Sequence, residues 1–537
     1  MTVQVAIAQI NSTVGDFAGN SEKIIQACRK AHQAGADIVL TPELSLVGYP
    51  PEDLLLRPSF YAKSALAFDV LVTQLAQLSG LHVVVCYPLL LQHKCFNAAS
   101  VVRDGVVLGT YCKSSLPNDA VFDEKRYFSP AHDAFVFDVK GVKFGINICE
   151  DTWSAGPPSR AKQAGAQVLL IPNGSPFHMH KQQLRYDTMR KHVCSQGLAL
   201  VYANLSGAQD ELVFDGNSFV LDAQGTVCAQ LGHCVEEVRV IAFDGAQPVL
   251  QIEQPALSIE AQAYQALVLG VGDYVNKNGF PGVIIGLSGG VDSALTLAIA
   301  VDALGADRVH TVMMASPFTA EISWLDAREM ARRLEVRYDE IAIDDCFDAF
   351  LHTLADQFGS LPQDTTEENI QARIRGTMLM ALSNKHGGIV LTTGNKSEMA
   401  VGYCTLYGDM AGGFAAIKDV AKTLVYRLCA YRNQISDIIP DRILSRPPSA
   451  ELRSDQTDQD ALPPYEVLDP IMQMHMEENL DIDQIVQAGY PRAVVERIVY
   501  LIKVNEYKRR QAPVGVRITH RGFGRDWRYP ITSKFRE

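Results

Sequence analysis

The stretch Gly286-Leu-Ser-Gly-Gly-Val-Asp-Ser293 decides how this chain is read. Before it, Val283 to Leu287 is an apolar run of strand length. After it, Ala294, Leu297, Ala298 and Val301 recur at the three-and-four spacing of a packed helix face. A glycine turn between a buried strand and a helix start sets the unpaired N–H groups and positive dipole end of that helix in front of the loop. Gly289 and Gly290 let backbone approach phosphate oxygens, so an anion binds there without a lysine. Loops that grip a terminal phosphate with lysine read Gly-Lys-Ser/Thr, whereas this one reads Gly-Val-Asp-Ser. Its polar side groups are the hydroxyls of Ser288 and Ser293 and the carboxylate of Asp292. A carboxylate beside phosphates calls for a cation, and Asp292 is read as a Mg²⁺ ligand.

Working outward, the second half of the chain alternates helix and strand. Helical periodicity spans Ala263 to Val275, Ser323 to Leu334 and Ile370 to Asn384. Strand patterns fall at Thr311 to Met314 and Ile389 to Thr392. That alternation predicts a doubly wound parallel sheet, whose ligands sit at the carboxyl ends of its strands. Thr393-Gly-Asn-Lys-Ser-Glu398 follows one such end, as the glycine loop follows another, so two loops converge on one nucleotide.

The chain has 537 residues, too many for one core. The stretch from Phe243 to Pro255 has Gly, two prolines and no helical period, and the boundary is placed between residues 245 and 258. With 47% apolar and 20% charged residues the composition is that of a globular protein. Apolar runs are strand-sized, which excludes a membrane span, and the start lacks the basic flank of a signal peptide, so a cytoplasmic protein is expected. The 11 cysteines lack zinc or disulfide spacing. A net charge of −13 disfavours nucleic acid as a partner, yet Lys508, Arg509, Arg510, Arg517, Arg521, Arg525 and Arg528 form a basic tail, read as a solvated arm or a docking segment. Sandwich halves plus this tail lead us to expect a homo-oligomer.

The first half opens with a strand at Val3 to Ile10, a helix from about Asn20 to Ala34 and a strand at Asp37 to Leu40. Next come a strand at His82 to Pro88 and two hairpins, folded at Asp104-Gly105 and Lys140-Gly141. This mixture predicts a layered sandwich with helices outside. Three reactive side chains stand just after strands: Glu43, Lys113 and Cys149. A cysteine needs a proton acceptor to become a thiolate, and a nearby lysine both favours that thiolate and holds a developing oxyanion.

The segments around them, Pro42-Glu43-Leu-Ser-Leu-Val-Gly-Tyr49, Lys113-Ser-Ser-Leu-Pro-Asn118 with Phe122-Asp-Glu-Lys-Arg126, and Asn147-Ile-Cys149-Glu-Asp-Thr-Trp153, resemble in order the signatures of the nitrilase (carbon–nitrogen hydrolase) superfamily. The resemblance implies an αββα sandwich over residues 1–245 that hydrolyses the side-chain amide of glutamine. Glu43 would be general base, Cys149 the nucleophile and Lys113 the stabiliser of the tetrahedral intermediate, with Glu124 in support. Ser175 and Lys181 would receive the amino-acid end of glutamine, Lys181 pairing its carboxylate. Asp119 stands where many relatives place an aromatic that lines the glutamine pocket.

The loop at 286–293 resembles that of the ATP pyrophosphatases, an adenine nucleotide α hydrolase-like fold, and residues 258–537 resemble their NAD synthetase branch. Glu368-Asn369-Ile-Gln-Ala-Arg373, Thr392-Thr393-Gly-Asn-Lys-Ser-Glu398, Tyr407-Gly-Asp-Met-Ala-Gly-Gly413 and Pro448-Ser449-Ala-Glu-Leu-Arg453 match in order. This implies that Gly286, Leu287, Ser288, Gly289, Gly290, Val291, Asp292, Ser293, Thr393, Lys418 and Ser449 contact ATP, with Lys422 as the alternative to Lys418. Asp292 and Glu398 would share Mg²⁺, and Asn369, Glu398 and Lys508 would hold deamido-NAD. The joined halves imply amidation of deamido-NAD with ammonia from glutamine. An amidotransferase acting on a purine or a tRNA base is the nearest alternative, and a non-catalytic nucleotide sensor the next.

Overall fold

The computed structural model describes residues 2–251, 257–453 and 456–535. The chain divides into two compact units, Met1–Leu257 and Ser258–Glu537. Of the expected boundary stretch, residues 252–256 lie outside the described residues.

In the first unit a seven-stranded sheet runs in the order Gln247–Pro248, Glu237–Asp244, Thr2–Gln9, Ile38–Leu40, His82–Leu91, Lys94–Arg103, Val106–Cys112. A six-stranded sheet runs Val227–Gln230, Phe219–Leu221, Ala199–Asn204, Val168–Asn173, Val142–Ile146, Val136–Val139. The period of two along each strand explains the layering. Val3, Val5 and Ile7 meet Phe144, Ile146, Val168 and Val201 in the core between the sheets. Ala6 and Ala8 face the other way, onto a core that includes Ile24 and Cys28 of the helix Phe17–Gln33 and Phe68 and Leu71 of the helix Pro58–Leu75. Beyond the second sheet, Leu169, Ile171 and Leu200 pack with Met189, from the helix Lys181–His192. The result is a four-layer αββα sandwich.

Both foreseen hairpins are present, with Asp104 and Gly105 at φ 50° and 75° and Lys140 and Gly141 at φ 55° and 84°. Two consecutive left-handed residues match the right-handed twist of the flanking strands. A third hairpin turns at Gln92-His93, φ 48° and 64°, and carries its first strand on to Leu91 rather than Pro88. Without a glycine that turn left no sequence signal.

The second unit holds a five-stranded parallel sheet in the order Arg337–Glu340, Val309–Met313, Val283–Gly286, Ile389–Thr392, Phe414–Ala415. In chain order this is 3-2-1-4-5, so the order reverses between Val283–Gly286 and Ile389–Thr392, and their carboxyl ends open the crevice where doubly wound sheets take ligands. A helical cluster formed from Tyr465–Met476, Ile482–Gln487 and Arg492–Val504 packs on Met399 to Val401. No helix among the described residues is long and apolar enough to cross a membrane.

Gly289 has φ +78°, and a Cβ there would meet the Ser323 carbonyl oxygen at 2.4 Å. Gly289→Ala is therefore expected to cost at least about 2 kcal/mol from backbone strain alone, with the clash added. Thermal unfolding of the second unit checks this, and an unchanged midpoint would contradict it.

Candidate active sites

In the first unit three strand ends deliver one buried cluster. Lys113, two residues beyond Tyr111 on the edge strand, has its Nζ 2.7 Å from Glu43 Oε1 and 2.9 Å from Glu124 Oε1. Asn97 Nδ2 donates to Glu43 Oε1 at 2.7 Å, and the Gly174 backbone N–H donates to Glu43 Oε2 at 2.9 Å. The Tyr49 hydroxyl donates to Glu124 Oε1 at 3.1 Å. Each carboxylate is thus oriented by donors from separate elements.

Cys149 lies where the strand Val142–Ile146 passes into the short helix Cys149–Trp153. Its φ of 44° is left-handed, an uncommon state for a residue with a Cβ and one that recurs where a nucleophile is thrust out of a strand-to-helix turn. Asp151 locks the turn, accepting from the N–H groups of Ile148 at 3.0 Å, Ser114 at 3.0 Å and Ser115 at 2.7 Å. Burial pushes the Cys149 thiol well above its ordinary pKa, with Glu43 adding to the rise and Lys113 opposing it. The resting side chain is a thiol, so attack on a carbonyl requires a base at the moment of reaction. Burial also works against the charge of Lys113, but Glu124 and Glu43 outweigh it and hold the ammonium. Burial lifts the Glu124 carboxyl to about 7, against the pull of Lys113.

Burial raises the Glu150 carboxyl, with Lys113 and Lys181 lowering it and Asp119 and Glu43 raising it. Lys181 Nζ stands 4.4 Å from the centre of the Trp153 ring. Asp119 is exposed. Ser175 is buried, its N–H donating to Asn204 Oδ1 at 2.9 Å.

In the second unit a cavity of about 290 Å³ is lined by every residue from Gly286 to Ser293 and by Thr393, Glu398, Lys418, Lys422, Ser449 and Asp458. The loop is held open by its own hydroxyls: Ser293 Oγ donates to the Gly290 carbonyl at 2.9 Å and lies 3.1 Å from Ser288 Oγ. Asn395 ties the two loops together. Its Oδ1 caps the helix Lys396–Val401 by accepting from Glu398 N at 3.0 Å, while its Nδ2 donates to Asp292 Oδ1 at 2.9 Å. Lys422, not Lys418, bridges the carboxylates: its Nζ lies 2.5 Å from Asp292 Oδ2 and 3.2 Å from Glu398 Oε1. Burial raises the Glu398 carboxyl to about 8, opposed by Lys422 and reinforced by Asp292 and Asp458. Lys418 lines the same cavity and donates to the Pro513 carbonyl at 2.6 Å.

Asn369 and Lys508 are not among the cavity's lining residues. Asn369 Oδ1 accepts from Thr405 Oγ1 at 2.7 Å, and Lys508 Nζ donates to the carbonyls of Gly402 and Cys404 at 2.8 Å each. Both brace a loop whose residues Tyr403, Cys404, Gly408 and Asp409 form part of the wall.

A four-layer sandwich with a Glu–Lys–Cys cluster, followed by a parallel-sheet unit with a serine–glycine loop at its switch point, defines a two-site enzyme of amide and nucleotide chemistry. The carbon–nitrogen hydrolase model matches residues 4–251 and the NAD synthase model residues 263–512. The chain is 46% identical over 539 residues to the glutamine-dependent NAD(+) synthetase of Acinetobacter baylyi, covering 99% of each chain. It is 45% identical over 574 residues to that of Thermotoga maritima, covering 100% of this chain and 99% of the relative. Among solved structures, the glutamine-dependent NAD+ synthetase of Acinetobacter baumannii in complex with adenosine diphosphate superposes with a TM-score of 0.81 at 44% identity, covering 99% of this chain and 98% of the other. The chain belongs to the family of glutamine-dependent NAD(+) synthetases.

The elevated Glu124 carboxyl has a consequence for stability. An unfolded glutamate ionises near 4.5 and the folded one near 7, so folding loses stability as pH rises through that window. The span amounts to about 3 kcal/mol at most. Glu124→Gln, which cannot ionise, is expected to gain stability relative to the parent between pH 5 and 8. Urea unfolding of the first unit at several pH values measures this, and parallel curves would contradict it.

Proposed function

We propose that this chain makes NAD+ by ATP-dependent amidation of deamido-NAD, with ammonia drawn from glutamine hydrolysis in its first unit. The observation that carries the reading is the pairing of a buried thiol–base–ammonium cluster with a serine–glycine loop open to a nucleotide-sized cavity on one polypeptide.

In the first unit Cys149 Sγ attacks the side-chain carbonyl carbon of glutamine while Glu43 takes the thiol proton. Lys113 donates to the oxygen as it gains charge. The tetrahedral species collapses by breaking the C–N bond, and Glu43 returns the proton to the departing nitrogen, releasing ammonia. Water then cleaves the thioester, with Glu43 as base again, to give glutamate and the free thiol. Glu124 keeps Lys113 charged and aimed. Ser175 and Lys181 receive the α-carboxylate of glutamine, and Asp119 stands at the rim near Glu150 and Lys181.

In the second unit the loop 286–293, Thr393, Lys422 and Ser449 hold ATP, and Lys418 contacts it at the rim. An oxygen of the nicotinate carboxylate attacks the α-phosphorus, the bond from that phosphorus to the β-phosphate bridge breaks, and pyrophosphate leaves. Ammonia adds to the adenylated carboxyl carbon, AMP departs with the bonding pair, and nitrogen sheds a proton to give the amide. Asn369 and Lys508 support the dinucleotide through the 402–409 loop, while Glu398 faces it directly.

Mg²⁺ fits this site. Asp292 and Glu398 present hard oxygen donors that converge on a single cation, the Lys422 ammonium, so the geometry already favours positive charge between them. When bound, the ion would neutralise phosphate charge beside Asp292.

Cys149→Ala is expected to lower glutamine-driven NAD+ formation at least about 10³-fold while ammonium-driven formation persists. Equal loss of both rates would overturn the division of labour. Incubation with ATP and deamido-NAD, xanthylate or tRNA tests the acceptor, since only deamido-NAD should yield AMP.

A further inference from the structure

Against Ser175 lies a charge pair for which the reaction above has no use. Arg185 and Asp215 are fully buried, with 0% and 1% of their side-chain surface exposed, and make a two-pronged pair at 2.8 and 3.1 Å. Two buried charges of this kind cost solvation that their mutual attraction rarely exceeds, so their retention asks for a purpose beyond stability. Asp215 is further held by Asn217 Nδ2 at 2.8 Å and faces His233 Nδ1 at 3.7 Å. Although burial opposes it, Arg185 and His233 keep the Asp215 carboxyl ionised well below the usual range.

Arg185 Nη1 also donates to Gln182 Oε1 at 3.0 Å, and two further donors of the guanidinium converge on Ser175. Its Nη2 donates to the Ser175 carbonyl at 2.8 Å and its Nε donates to Ser175 Oγ at 3.2 Å. Asn204 grips the same residue through its N–H at 2.9 Å and its carbonyl at 3.1 Å. Immediately before Ser175, the Gly174 N–H donates to Glu43 Oε2. A Cβ on Gly174 would meet the Tyr49 ring at 2.9 Å, so this turn has no slack on that side.

A guanidinium has no acceptor, so a serine oxygen that receives an N–H from Arg185 directs its own proton elsewhere. We propose that Arg185, held by Asp215, is a positioning residue that turns the Ser175 hydroxyl into a donor toward the pocket and thereby selects the carboxylate end of glutamine. This rests on the reading that Ser175 and Lys181 receive the α-carboxylate.

The test compares ammonia release from glutamine with release from its α-carboxamide analogue, using the full-length protein. Arg185→Met should lower kcat/KM for glutamine about 10²-fold, as expected when a contact is displaced by an ångström or so. It should leave the carboxamide analogue nearly unaffected, so that the preference for a carboxylate collapses. Ser175→Ala should reproduce that pattern, and Arg185→Lys, which keeps the charge but not the fork, should fall between. Ammonium-driven NAD+ formation serves as the control for the second unit. Equal losses on both substrates, or an unchanged preference in Arg185→Met, would overturn the proposal. If Arg185→Met does not fold, Arg185→Lys and Ser175→Ala decide alone, and retained preference in both overturns it. A parent enzyme with no preference between the two substrates would instead sink the reading of the pocket.

Discussion

A lysine ammonium buried between two carboxylates is the arrangement that recurs in both units. In the first, Lys113 bridges Glu43 and Glu124. In the second, Lys422 bridges Asp292 and Glu398. Burial first, and the second carboxylate after it, outweigh the single ammonium and raise one carboxyl in each cluster, Glu124 to about 7 and Glu398 to about 8. The consequences differ because the neighbours differ. Beside Lys113 stands the buried thiol of Cys149. Beside Lys422 lies an open cavity with a serine–glycine loop.

Strand ends account for how such charged groups come to be buried. Glu43 and Lys113 leave the carboxyl ends of strands whose bodies are held between or beside apolar layers, so sheet packing places groups that would otherwise stay in water. The local price is strain, seen in the left-handed backbone of Cys149, and Asp151 opposes it with backbone hydrogen bonds. At the nucleotide loop the equivalent device is Gly289, whose missing Cβ lets Ser323 approach.

What was legible in the sequence follows the same logic. Glycine turns, strand ends and reactive side chains in fixed order announced Glu43, Lys113, Cys149 and the loop at 286–293, and the alternation of periods announced the parallel sheet. Backbone donors announce nothing, so the Gly174 N–H on Glu43 could not be read. Asn97 lies inside a strand where one polar residue among apolar ones has many explanations. Lys418 and Lys422 share one short stretch, and only the turn geometry after Phe414–Ala415 sets Lys422 against Asp292. Asn369 and Lys508 are joined to the site through a loop, an indirect relation that spacing does not encode.

The basic tail shows how far sequence proximity misleads about charge. Seven cationic side chains between residues 508 and 528 read as a solvated or docking segment, and several of them find partners within the same unit. Arg517 pairs with Asp526 at 2.7 Å, and Arg509 and Arg510 both reach Glu506, which also accepts from Trp527 Nε1 at 2.8 Å. Asp419 takes the N–H groups of Ile518 and Thr519 and meets Lys396 at 3.0 Å, one residue after the asparagine that binds Asp292. These residues of the tail brace the unit from within. Because Lys396 opens the helix that carries Glu398, the C-terminal segment and the carboxylates lining the cavity are fastened to the same turn. Through Asp419, that turn is tied to backbone N–H groups about a hundred residues further along the chain.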